Sequence, residues 1–211
     1  MTGPYGRWFL SLGLLFASAM ACGCAREPLD VVCTPMSAGD LAFSELRGGQ
    51  NGADSFGQWV ELYNASASEL NLAGLVLDIK MLSGGGEHEI AVRRPLTVSA
   101  GGYVVLGRFT DDPLERPEYI DYGFEDDYSG DLYTDAILEA RSCGEVIDHL
   151  VYHDLPTAGT LGFNGGLELS AAANDNESDW CIDDTPYNPG DGGTTQVGIP
   201  GTPGQRNKTC E

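Results

Sequence analysis

Three histidines, 32 acidic residues and six cysteines are the groups in this chain of 211 residues whose types and spacing could do chemistry. His149 and His153 stand four apart, a spacing that brings two metal ligands together on a helix. Their neighbours read as a strand. There, residues four apart share a face but lie roughly 13 Å apart at about 3.3 Å per residue, too far to share an ion. Both are expected to face solvent. His88 lies beside a glycine-rich tip and has no evident partner along the chain. Glu61 sits between Trp59 and Tyr63, an apolar setting that would raise its pKa, and its expected role is that of a buried carboxylate bonded to loop amides.

The remaining carboxylates come in runs. Asp111-Asp112, Glu125-Asp126-Asp127, Asn174-Asp175-Asn176-Glu177 and Asp183-Asp184 supply the oxygen donors that calcium prefers, without the spacing of an EF-hand. They read as solvated acidic loops, with weak calcium binding in the range of about 0.1 to 1 mM as the one cofactor expectation. No dedicated metal ligand is assigned. The chain has no Gly-x-Ser-x-Gly elbow, no His-Glu-x-x-His and no glycine-rich phosphate loop, so a non-enzymatic protein is expected. The alternative is a metal-dependent hydrolase, or a hydrolase accessory domain, using the acidic loops, Asp126 and Asp127 among them.

The cysteines are Cys22, Cys24, Cys33, Cys143, Cys181 and Cys210, and none forms the CxxC pairs of a zinc site. The first two close an amino-terminal leader. After Arg7, the apolar run Trp8 to Met20 is far shorter than the roughly 20 residues a membrane-spanning helix needs, so it reads as a signal peptide. Its end, Ala19-Met20-Ala21-Cys22-Gly23-Cys24, fits both ordinary cleavage after Ala21 and a bacterial lipobox. A lipoprotein is expected, with Cys24 or Cys22 acylated, because a cysteine pair here has no packing role. Residues 1–23 are then the leader, 24–38 a tether and 39–211 the domain. In an oxidising compartment Cys33, Cys143, Cys181 and Cys210 are disulfide candidates, and four cysteines allow three pairings. Their positions along the chain suggest Cys143 with Cys181, and Cys33 with Cys210 joining the two ends of the domain.

The 11 basic residues leave a formal charge of −21. Phosphate backbones and anionic lipid surfaces repel such a protein, so nucleic acid is excluded as a partner, and contact with a membrane is expected through the lipid anchor alone.

These groups have to be positioned by strands. Gly and Pro are scattered among short apolar runs and no helical period persists after residue 40, which predicts an all-β domain. Gln58 to Asn64 gives the clearest strand, with Trp59, Glu61 and Tyr63 on one face and Val60 and Leu62 on the other. Large apolar groups on both faces suit a strand inside a two-sheet sandwich. Further strands are expected at 40–46, 70–79 with a break at Gly74, 87–92, 103–106, 137–140, 146–152 and 167–169. Residues 108–131 read as a long acidic insertion outside the core, and the Pro- and Gly-rich carboxyl end as a segment extended over the sandwich.

Several stretches, in order, resemble the lamin tail domain family: Phe43-Ser44-Glu45-Leu46, Trp59-Val60-Glu61-Leu62-Tyr63-Asn64, Leu72-Ala73-Gly74-Leu75, Gly101-Gly102-Tyr103-Val104-Val105-Leu106, Trp180, and Thr202-Pro203-Gly204-Gln205-Arg206-Asn207. The resemblance runs from about Gly39 to Asn207. It implies an immunoglobulin-like β-sandwich, here without the coiled-coil rod of an intermediate filament and with a longer acidic insertion. For exported bacterial members it implies a surface or adhesion-type module. The expected function is a non-enzymatic, lipid-anchored binding or structural module of the cell envelope, whose partner is a protein or polysaccharide. A passive envelope spacer is the other non-enzymatic possibility.

Overall fold

The computed structural model describes residues 33–184 and 198–211. The leader, with Cys22 and Cys24, lies outside them. Among the described residues, β1 (Leu41–Arg47), β2 (Trp59–Asn64), β7 (Tyr103–Gly107), β8 (Tyr122–Gly123), β11 (Thr160–Phe163) and β12 (Trp180–Asp183) form one sheet in the order β12-β11-β1-β2-β7-β8. A second sheet has the order β10-β9-β4-β5, from β4 (Val76–Met81), β5 (Glu87–Ala91), β9 (Ala136–Ser142) and β10 (Glu145–Tyr152). A small ribbon pairs β3 (Leu70–Asn71) with β6 (Thr97–Val98). All pairings are antiparallel except β7 with β8. This is an all-β, immunoglobulin-like sandwich, as the scatter of short apolar runs predicts.

Alternation fills the space between the sheets. Phe43, Val60, Leu62, Val104 and Leu106 from the larger sheet meet Leu77, Ile79, Leu138 and Leu150 from the smaller. The opposite face of the larger sheet is also covered, with Trp59, Val105, Tyr119, Ile120 and Ile199 as a second cluster. Both faces of β2 are therefore buried, as its sequence suggests. The β9–β10 hairpin turns on Cys143 (φ 54°) and Gly144 (φ 83°), two left-handed residues in succession as a tight two-residue hairpin turn requires.

Two strands carry bulges, between Phe43 and Glu45 in β1 and between Val146 and Asp148 in β10. Asp148 is thereby turned inward and accepts the Phe43 N–H at 2.7 Å and the Asn174 side-chain amide at 2.7 Å, joining the sheets.

Four expectations need correction. Residues 108–131 are part of the core: Tyr119, Ile120, Tyr122, Phe124 and Tyr128 are all buried, because β8 pairs with β7 and draws the segment onto the sandwich. Leu167 to Leu169 is no strand; β11 and β12 hold the place next to β1 instead. Residues 33–38 of the expected tether are fixed to the domain, with Met36 buried in the core, the Thr34 hydroxyl donating to Ala73 O at 3.0 Å and Thr34 O accepting from Ser142.

The disulfide pairing is the fourth. Cys33 pairs with Cys143 (Cα–Cα 5.2 Å) and Cys181 with Cys210 (Cα–Cα 5.9 Å). The suggested partners lie in different layers. Cys143 tips the β9–β10 hairpin, along which residues 33 and 34 run. Cys181 is on β12 in the other sheet, and the tail returns beside it through Gly165 N–H to Lys208 O and Cys210 N–H to the Asn164 side chain.

A tyrosine and histidine cleft as the candidate functional site

Paired carboxylates are the first place to look for chemistry, and the fold makes one such pair. Glu45 and Glu61 occupy partner positions on β1 and β2. Both are fully buried, beneath residues 199–207. Glu45 accepts from the Thr160 hydroxyl (2.7 Å) and the Thr202 N–H (3.0 Å); Glu61 accepts from the Ser44 hydroxyl (2.6 Å) and the Gly204 N–H (2.6 Å). Burial pushes the Glu45 carboxyl up to about 7 and, with Glu45 as neighbour, lifts Glu61 well above the ordinary range. Gly201, at φ 92°, admits this approach, since a Cβ there would lie 2.4 Å from Glu45 Oε1. The two carboxylates fasten the carboxyl-terminal strap to the sheet, the role in which Glu61 meets its expectation of loop amides. Asn207 completes the fastening by donating to Ser44 O (2.7 Å) and Phe163 O (3.0 Å).

Several carboxylates of the acidic segment are engaged in ion pairs and backbone bonds, while Glu125 and Asp126 are exposed. Asp111 takes Arg94 and Arg116 together with the Gly123 N–H, Asp127 takes Arg93, and Asp131 takes Arg108 and the Gln58 amide. Asn174, one of the expected oxygen donors, is fully buried and bonded into the inter-sheet contact. Among the described residues no three His, Cys, Asp or Glu side chains gather as a metal site. His149 and His153 turn to different carboxylates, Asp175 at 3.3 Å and Asp135 at 3.4 Å, and both are about half exposed.

His88 does have partners. It projects from β5 with its ring 4.4 Å from that of Tyr128 and 6.1 Å from that of Tyr133, and these two tyrosine rings are 6.4 Å apart. The three rings line an open cleft of about 840 Å³, between the β4–β5 hairpin (Met81, Ser83) and the segment 127–135. Glycine at the hairpin tip is required: Gly86 has φ 55°, and a Cβ there would sit 2.3 Å from the Tyr133 hydroxyl.

The 127–135 wall is held from several sides. Gln58 accepts the Leu132 N–H at 2.7 Å and donates to Asp131, the Tyr152 hydroxyl donates to Tyr133 O at 2.9 Å, and Thr134 O accepts the Leu155 N–H at 2.9 Å. The Tyr128 hydroxyl donates to Asp131 O, and burial pushes this phenol up to about 12, so it stays neutral. A partly aromatic concavity edged by serine, threonine and carboxylate groups, with its wall held in this way, is suited to hold a ligand. A smaller groove of about 300 Å³ lies beside Tyr63, Tyr103 and Arg206.

Reasoning from sequence reached the disulfide cysteines and Glu61 but missed this cleft. The available signal was Tyr128, hidden inside the segment 108–131 that reads as lying outside the core, and Tyr133 just after it. No protein-family model matches the chain, and no curated protein matches it either.

Proposed function

We propose that this protein is a non-enzymatic, extracytoplasmic binding module of the cell envelope, a lamin-tail-type sandwich anchored by lipid at Cys24 or Cys22, whose contact site is the His88, Tyr128 and Tyr133 cleft. The cleft carries the reading. It combines three aromatic rings with polar rim groups on a wall fastened at both strands and loops, the composition of a preformed ligand site. Two disulfides accord with an oxidising compartment, and the leader ending in two cysteines supports export and acylation.

The test is a binding screen of the mature chain against envelope polysaccharides and purified envelope proteins, with Tyr133→Ala as control. A partner is expected whose affinity falls about tenfold in the variant, the equivalent of about 1.4 kcal/mol. Failure of every polymer and protein to bind, or binding indifferent to Tyr133, would overturn the cleft as the contact site. Labelled fatty acid should enter the protein in cells and be lost when Cys22 and Cys24 are both changed to Ser; no labelling of the unaltered protein would contradict the anchor.

A further inference from the structure

The electrical balance of the cleft narrows its ligand. Asp127, Asp131 and Asp135 are among its lining residues, and no lysine or arginine is. Arg93 and Arg108 reach Asp127 and Asp131 from outside the lining. Asp131 is already paired with Arg108, so the carboxylate left to a ligand at the mouth is that of Asp135, whose side chain is 46% exposed and has, among the described residues, only the His153 imidazole, at 3.4 Å, as its side-chain partner. The chain as a whole carries −21, so an anionic ligand would be repelled and a cation drawn in. The rings add a second preference. A pyranose presents a face of C–H groups that packs on an aromatic ring, while an ammonium is attracted both to ring faces and to carboxylates. Ser83, Ser129 and Thr134 are exposed in the lining and offer hydroxyls to a polyol.

Resting on the reading of the cleft as the contact site, we infer that it takes amino sugars bearing a free amine, as units of an envelope polysaccharide. The pyranose packs against His88 and Tyr133, and the ammonium pairs with Asp135. Acetylation removes the charge and with it this pairing. Acidic and phosphorylated glycans are excluded by the same field.

The test is calorimetric titration of the mature chain at low ionic strength with a β-1,4-linked glucosamine hexamer, its fully N-acetylated counterpart, and hexalysine. The free-amine hexamer is expected to bind at least about tenfold more tightly than the acetylated one. Asp135→Asn should reduce that preference, and Tyr133→Ala should weaken both sugars while Tyr133→Phe retains them. Thermal melts of each variant separate loss of a contact from loss of fold. Equal binding of the two hexamers at a Tyr133-dependent site would overturn the amine and leave the contact site standing. Hexalysine binding as tightly, with the same dependence on Tyr133, would make the ligand a basic peptide and overturn the sugar. Binding of none of the three would overturn the inference, and the wider polymer screen would then decide the cleft.

Discussion

Glu45 and Glu61 stand opposite each other on adjacent strands, both sealed from water and both held by amides of one strap, at Thr202 and Gly204. Two carboxylates in this position cannot both ionise cheaply. The folded protein therefore binds protons more tightly than the unfolded chain, whose glutamates titrate near 4.5. Stability from this source is complete below about pH 4.5 and is lost as the pH rises through about 7 for Glu45, with Glu61, raised well above its ordinary range, acting in the same direction. Asp148, pushed up to about 6 by burial, acts in the same direction. Asp54, Asp111 and Asp131 are held below the ordinary range by their arginine and amide partners, so their contribution is lost on the acid side instead.

Thermal melts should accordingly show greatest stability in mildly acidic buffer and a loss on the order of 2–4 kcal/mol between about pH 5 and 8. Glu61→Gln, which keeps the side-chain shape and an acceptor for Gly204, should flatten that decline. A midpoint that rises from pH 5 to 8 would contradict the buried pair.

Disulfide mapping offers a second prediction. Non-reducing peptide maps should recover Cys33 with Cys143 and Cys181 with Cys210. Replacing either pair by serine should cost about 3 to 5 kcal/mol from the loops of 110 and 29 residues. Recovery of Cys143 with Cys181 would contradict the layered arrangement of the ends.

A third prediction concerns Asp111, which receives two bonds from Arg94 (2.6 and 2.9 Å), one from Arg116 (2.7 Å) and one from Gly123 N–H (3.0 Å). Asp111→Ala removes the acceptor of Arg94 Nε, Arg116 Nη1 and the Gly123 N–H, while Arg94 Nη2 keeps Asp121 O, and urea denaturation should show a loss of about 1 to 3 kcal/mol. Unchanged stability would mean that the acidic segment is solvated after all.

What was legible in the sequence follows from how local each pattern is. In β2, Trp59, Val60, Leu62 and Tyr63 are such strong strand formers, with apolar groups on both faces, that strand, faces and the burial of Glu61 could all be read from six residues. Tyr119, Ile120, Tyr122, Phe124 and Tyr128 have no such period, because they are buried from turns and a two-residue strand. The carboxylates of the same segment, Asp111 and Asp127 among them, resemble a solvated loop until Arg94 and Arg93, remote along the chain, come to meet them. The cleft depends on the same long-range event, since His88 reaches Tyr128 and Tyr133 only once the segment after β8 has packed onto the smaller sheet's edge, where Ala91 N–H bonds Asp127. The disulfide partners were hidden for a related reason: position along the chain does not reveal which sheet a strand enters.

The cleft as the binding site is tested most directly by amide chemical-shift mapping of the isotopically labelled mature chain, titrated with glucosamine and N-acetylglucosamine hexamers. Perturbations are predicted at residues 81–88 and 127–135, larger for the free-amine sugar and absent in Tyr133→Ala. Perturbations gathered instead at the groove of Tyr63, Tyr103 and Arg206 would contradict it.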